Sequence, residues 1–142
     1  MIRLYERRDL DQLLEVWAAA SALAHPFLTD EFLASERANI ASSYLDVAET
    51  WVFELDGQLV GFVALVGANE VGTIFVDPRR QRAGIGTALM NHARSLRGDL
   101  EVEVFVENPI GRAFYERCGF REIGRKHHER AGHELLRLRL DG

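Results

Sequence analysis

The sequence predicts a single mixed α/β domain with the element order β-α-α-β-β-β-α-β-α-β-β, and three observations carry that prediction. Apolar residues recur at helical spacing in some stretches and alternate with polar ones in others. Asp56-Gly57 stands between two apolar runs, the strongest short-range signal for a hairpin. The 142 residues are enough for one core, and they contain no repeat, low-complexity tract or linker at which a second unit would begin. The domain is therefore expected to span 1–142.

Residues 2–6 alternate as an opening strand would. Asp9 followed by Gln12 resembles a capping box, and Leu10, Leu13, Leu14, Trp17 and Ser21 then trace one helical stripe that His25-Pro26 interrupts. Thr29, followed by Asp30 and Glu31, is placed to cap a second helix running to about Tyr44. That helix is poorly amphipathic and reads as a partly exposed cover. Strands follow at 51–55, 59–66 and 71–76, the last closed by Asp77-Pro78. Ile85, Leu89, His92, Ala93 and Leu96 mark a helix that Gly98 ends. Residues 100–106 alternate as a half-buried strand. Asn108-Pro109 opens a short helix, Cys118-Gly119-Phe120 closes it, and strands at about 120–126 and 133–140 complete the chain.

Composition excludes several functions. Hydrophobic residues at 47% and charged residues at 27% are the balance of a soluble globular protein. No apolar run approaches a membrane span, and Met1 to Glu6 lacks the pattern of a signal peptide, so the cytoplasm is the expected compartment. A lone cysteine, Cys118, rules out an intramolecular disulfide and a cysteine-rich zinc site. A net charge of −5 argues against nucleic acid as the main partner. Against that acidic background, Arg79, Arg80 and Arg82 form a local basic cluster suited to a small anionic ligand.

The chemistry concentrates between Ile74 and Leu89, where a strand runs through a turn and a glycine-containing loop into a helix. Such a loop leaves backbone N–H groups unpaired at the positive end of the helix dipole, an arrangement that binds phosphate oxygens. Gly84 and Gly86 keep side chains out of the way of close approach. A turn with glycines for packing alone would look similar. A dinucleotide fingerprint is excluded because Leu89 stands where a third glycine is needed. A P-loop is excluded because Thr87 stands where lysine is needed.

The segment resembles the acetyl-CoA loop of the GNAT acetyltransferases, a pattern of Gln or Arg, two residues, Gly, one residue, Gly, which Gln81, Gly84 and Gly86 match in register. A second family pattern recurs downstream. Asn108 lies seven residues before Tyr115, and a short helix end and Gly119-Phe120 follow. The resemblance is specific over about 71–124. It departs from the family at Gly111, where alanine is usual on that helix; the glycine should cost about 1 kcal/mol of local helix stability.

The resemblance implies a central, mostly antiparallel twisted sheet of about seven strands, splayed between the fourth and fifth and flanked by about four helices. Ile74, Phe75 and Val76 would meet the pantetheine arm of acetyl-CoA by strand addition. Arg82, Ala83, Gly84, Ile85, Gly86 and Thr87 would hold its pyrophosphate, with Gln81 leading in. Asn108 would contact the pantetheine; Asn before Pro is also a good helix N-cap, and both roles are compatible. Tyr115 stands at the family's general-acid position, poised to donate to the leaving thiolate. Glu103, five residues before Asn108, stands where some members carry a catalytic glutamate. Its neighbour Glu101 could raise its pKa toward neutrality, or the two could form an ordinary solvated strand face. His25 and Phe27 resemble a His-x-Phe-Leu stretch of small bacterial members and fall where the acceptor pocket is shaped.

The implied function is N-acetyl transfer from acetyl-CoA, as co-substrate, to a primary amine of a small molecule or peptide. The alternative is a non-catalytic acyl-CoA-binding or sensing module. A base matters most for a lysine-like acceptor, whose deprotonation near pH 7.5 costs about 4 kcal/mol. His127, His128 and His133 have a conceivable metal-binding spacing, but the chemistry gives a metal no role, and none is expected. No nucleic acid or membrane partner is expected. A homodimer is possible, for which residues 135–140 offer a strand that either pairs between subunits or forms a surface edge.

Overall fold

The computed structural model describes residues 1–81 and 83–142. Strand β1 (Ile2–Leu4) leads through a 3-10 turn (Arg7–Asp9) into α1 (Leu10–Ala24). Next come α2 (Asp30–Asn39), a π turn (Ile40–Tyr44) and the single turn α3 (Leu45–Val47). Strands β2 (Glu49–Leu55), β3 (Gln58–Val66) and β4 (Glu70–Val76) form a meander. A 3-10 turn (Pro78–Arg80), α4 (Ile85–Arg97), β5 (Leu100–Phe105), α5 (Pro109–Cys118), β6 (Arg121–His128) and β7 (His133–Leu140) complete the chain. Because α2, the π turn and α3 are continuous, four helical bodies flank the sheet among the described residues.

Among the described residues, seven strands form one sheet in the order β1-β2-β3-β4-β5-β7-β6. Every neighbouring pair is antiparallel except β4 and β5, which run parallel. Those two strands pair only at Glu70 with Glu101 and Val71 with Val102. Beyond Val71 they diverge, and the divergence opens a wedge at the C-terminal end of both. The Leu59 to Leu65 run of β3 is buried throughout because both faces of this central strand are covered. On one face, Leu13, Leu14, Val16 and Trp17 of α1 pack with Val52, Leu59 and Phe62. On the other, Ile85, Leu89, Met90 and Ala93 of α4 pack with Val63, Val102, Val104, Leu136 and Tyr115. The Asp56-Gly57 turn is as predicted, with both residues at positive φ (53° and 79°).

Three local expectations are corrected. The opening strand stops at Leu4, where the chain turns into a 3-10 segment. Asp9 and Gln12 do not form a capping box. Asp9 is buried, accepts from the Glu6 N–H and holds the Arg3 guanidinium at 2.8 and 2.9 Å, while Gln12 Oε1 accepts from the Leu59 N–H of β3 at 2.9 Å. Strand β7 is no surface edge. It lies between β5 and β6, so the sheet ends at β1 and β6, and β7 cannot pair between subunits. Thr29 does cap α2, accepting from Phe32 N at 3.0 Å, and α2 has no buried residue, as its weak amphipathicity implied.

Candidate active site

The wedge between β4 and β5 is the mouth of a cleft of about 1000 Å³. Ile74, Phe75 and Val76 line one wall, followed by Gln81, Gly84 and the first turn of α4, namely Ile85, Gly86 and Thr87. Glu103, Asn108 and Tyr115 line the opposite wall, and His25 lies at the join with the α1–α2 side. Two predicted residues stand slightly apart. Ala83 is exposed outside the lining, and Phe27 packs behind His25, with ring centroids 5.8 Å apart. Arg82 lies outside the described residues.

The two loop glycines serve different ends. Gly84 caps α4 with φ +78° and ψ 8°, a left-handed conformation costly to other residues, and a Cβ there would meet no protein atom within 4 Å. At Gly86 a Cβ would lie 3.0 Å from Phe114 Cε1, so this glycine lets the start of α4 close against α5. The N–H groups of Ile85, Gly86 and Thr87 have no partner within their own helix and sit at its positive end. The basic cluster is only partly available to an anion. Arg79 folds back onto Asp77, with Nη2 to Oδ2 at 2.9 Å, and that bond holds the Asp77 carboxyl below its usual range. Arg80, by contrast, lines the cleft.

Asn108 is buried and caps α5, its Oδ1 accepting from Gly111 N at 2.9 Å. Its Nδ2 lies 3.3 Å from His25 Nε2. Gly111, the departure from the family pattern, has a packing reason invisible in the sequence. A Cβ there would approach Asn108 Nδ2 to 2.5 Å and Val104 Cγ2 to 3.1 Å. Helix propensity is surrendered so that the Asn108 amide fits between α5 and His25. The His25 ring packs edge-on against Phe27, Phe75 and Phe105, and burial lowers its pKa to about 4. His25 is therefore neutral at physiological pH, and its Nε2 accepts from the Asn108 amide.

Tyr115 is buried between the rings of Phe114 and Phe120, each 5.5 Å away, and burial drives its pKa well above the ordinary value near 10. It remains a phenol throughout the working pH range. Cys118 packs against the same core, and burial raises its thiol pKa.

The predicted upward shift of Glu103 is reversed. Burial pushes it up, but Lys126 Nζ and Arg137 Nη1, each at 2.8 Å, outweigh burial and hold it below the usual range. Arg137 also reaches Glu101 at 2.8 Å and Glu70 at 3.3 Å, so cations stand where the sequence suggested bare repulsion between carboxylates. Glu70 was missed. It is the one carboxylate of this cluster whose burial exceeds the effect of Arg137, and its pKa is raised. The alternation of β4 begins one residue earlier than the apolar run that marked it. The three histidines take separate partners. His127 meets Glu134 at 3.0 Å, His133 meets Glu107 at 2.7 Å, and His128 Nδ1 accepts from Ala131 N at 3.1 Å.

The model of the acetyltransferase (GNAT) domain family matches residues 46–122, more than half of the chain and the part that builds the wedge. The chain belongs to the GNAT acetyltransferase family. It is 34% identical over 120 residues to peptidyl-lysine N-acetyltransferase YiaC of Escherichia coli, covering 84% of this chain and 82% of that one. It is 31% identical over 145 residues to peptidyl-lysine N-acetyltransferase YjaB of the same organism, covering 99% and 97%. The solution structure of apo YjaB superposes with a TM-score of 0.86 at 27% identity, over 98% of this chain and 95% of that one. This GNAT protein is thus an acetyltransferase with the family's mixed sheet and wedge. Among the described residues, no helix is long and apolar enough to cross a membrane.

Proposed function

We propose that this GNAT protein transfers the acetyl group of acetyl-CoA to the side-chain amine of a lysine by direct attack in a ternary complex. One observation carries the reading: a single cleft joins the first turn of α4, the end of β4 that has left β5, and the Tyr115 phenol. The residues present fit the co-substrate. Three N–H groups at the start of α4 suit a pyrophosphate, and the unpaired edge of β4 suits the amides of a pantetheine arm. Two relatives named as peptidyl-lysine N-acetyltransferases support lysine as the acceptor class. Acetyl-CoA as donor also makes the cytoplasm the working compartment.

In this scheme the neutral amine attacks the thioester carbon, a C–N bond forms, and the C–S bond breaks with the electron pair leaving on sulfur. Tyr115 donates a hydrogen bond to that sulfur. Its raised pKa keeps the proton nearer oxygen, so stabilisation of the developing charge matters more than complete transfer. Asn108, fixed by its cap and by His25, holds the opposite wall in register.

Glu103, held ionised by Lys126 and Arg137, draws the acceptor ammonium inward by its charge, and the ammonium proton leaves through water to solvent. Because its cationic partners keep it ionised, it does not titrate near neutrality. Glu103→Gln is therefore expected to lower turnover on a lysine peptide by about a hundredfold while leaving any inflection between pH 6 and 8 in place. Loss of such an inflection in the variant would show that Glu103 titrates there, against this account.

The donor is tested by calorimetry with acetyl-CoA, desulfo-CoA and ATP. Binding of both coenzyme forms but not ATP is expected, since the cleft reads pantetheine as well as phosphate. Equal binding of ATP, or none of the three, would remove the donor assignment.

A further inference from the structure

Outside the chemistry proposed above, one side chain from the last hairpin reaches residues that line the α2 side of the cleft. Arg130, at the tip of the β6–β7 hairpin, reaches across to α2. Its Nη2 lies 3.1 Å from Ser35 Oγ and 3.4 Å from Glu36 Oε1, and its guanidinium carbon sits 5.2 Å above the Phe32 ring. Phe32 and Glu36 line the cleft, and the His128 ring, which also lines it, packs edge-on against Phe32 at 5.5 Å. A carboxylate, a hydroxyl and an aromatic face converging on one guanidinium form a recognition set for an organic cation.

We infer that Ser35, Glu36 and Phe32 form a cation subsite for a positively charged side chain flanking the acceptor lysine, and that Arg130 is its internal occupant. This rests on the lysine-acetyltransferase reading and adds to it the class of acceptor: a peptide with an arginine or lysine beside the reacting residue. The Arg130 side chain is 59% exposed and that of Glu36 33%. Pairs so open to solvent are weak, and a tethered cation arriving with the substrate displaces such a partner readily.

The test uses two capped peptides, each with one lysine, flanked in one by arginine and in the other by glutamine. Binding is followed by fluorescence anisotropy and turnover by thiol release. The wild-type protein should bind the arginine peptide at least about fivefold more tightly. Arg130→Gln should tighten that peptide several-fold further and lower its KM, with a smaller change for the glutamine peptide. Glu36→Gln should erase the preference. Equal binding of the two peptides, or weaker binding of the arginine peptide by Arg130→Gln, would overturn the inference. A preference in anisotropy without thiol release would leave the subsite standing and overturn the catalytic reading instead. Melting curves of both variants establish that the comparisons are made on folded protein.

Discussion

Replacing Tyr115 by Phe is expected to lower turnover by about a hundredfold while changing acetyl-CoA affinity by less than about twofold. The phenyl ring keeps the contacts with Phe114 and Phe120, so the fold and the coenzyme wall survive. Only the hydroxyl is removed. If Tyr115 stabilises charge on the departing sulfur, its contribution exists in the transition state and not in the bound ground state, and the loss falls on kcat. Thiol-release kinetics alongside calorimetry separate the two. A variant with unchanged kcat would return Tyr115 to a purely packing role, and one with unchanged kcat and weakened binding would make it a coenzyme contact.

The second large effect concerns acid stability. His25 has a folded pKa of about 4 against 6.5 when unfolded, with burial as the cause. Above pH 6.5 the ring is neutral in both states. Between pH 6.5 and 4 the unfolded chain binds a proton that the folded protein refuses, so stability falls with pH across that window, by about 3 kcal/mol from this group at pH 4. His25→Gln retains an oxygen acceptor for the Asn108 amide but has nothing to titrate. Denaturant unfolding at a series of pH values should therefore show the wild type losing about 3 kcal/mol more than the variant between pH 6.5 and 4. The carboxylates contribute to acid destabilisation of both proteins and cancel in the comparison. Parallel curves would mean that the ring is protonated in place, and that its contact with Asn108 is not the one described.

What the sequence made legible was local or carried by the family resemblance. Asp56-Gly57 forces positive φ at both positions, and the turn followed. The stripe from Ile85 to Leu96 gave α4, and Thr29 gave the cap of α2. The wedge itself was an expectation from the resemblance, because periodicity says nothing about where two parallel strands part. What remained hidden depends on contacts distant in the chain. The place of β7 between β5 and β6 turns Arg137 and Arg139 from surface alternation into partners of Glu70, Glu101 and Glu103, and it reverses the expected shift of Glu103. Gln12 looked like a capping residue because only the fold brings the Leu59 N–H to it. Gly111 looked like a cost, since its benefit lies in the space it leaves for Asn108, three residues earlier but on the cleft wall. Arg130 carried no motif at all. Its meaning comes from Phe32 and Glu36, nearly a hundred residues upstream.

The central claim is acetyl transfer to a lysine side chain, and intact-mass analysis of a lysine peptide incubated with the protein and acetyl-CoA tests it most directly. The account predicts addition of a single acetyl group, located by fragmentation on the lysine side chain and absent from a matched peptide in which arginine replaces that lysine. Acetyl-CoA bound in the cleft with no acetylated peptide, even at high peptide concentration, would contradict it and leave a coenzyme-binding module in its place.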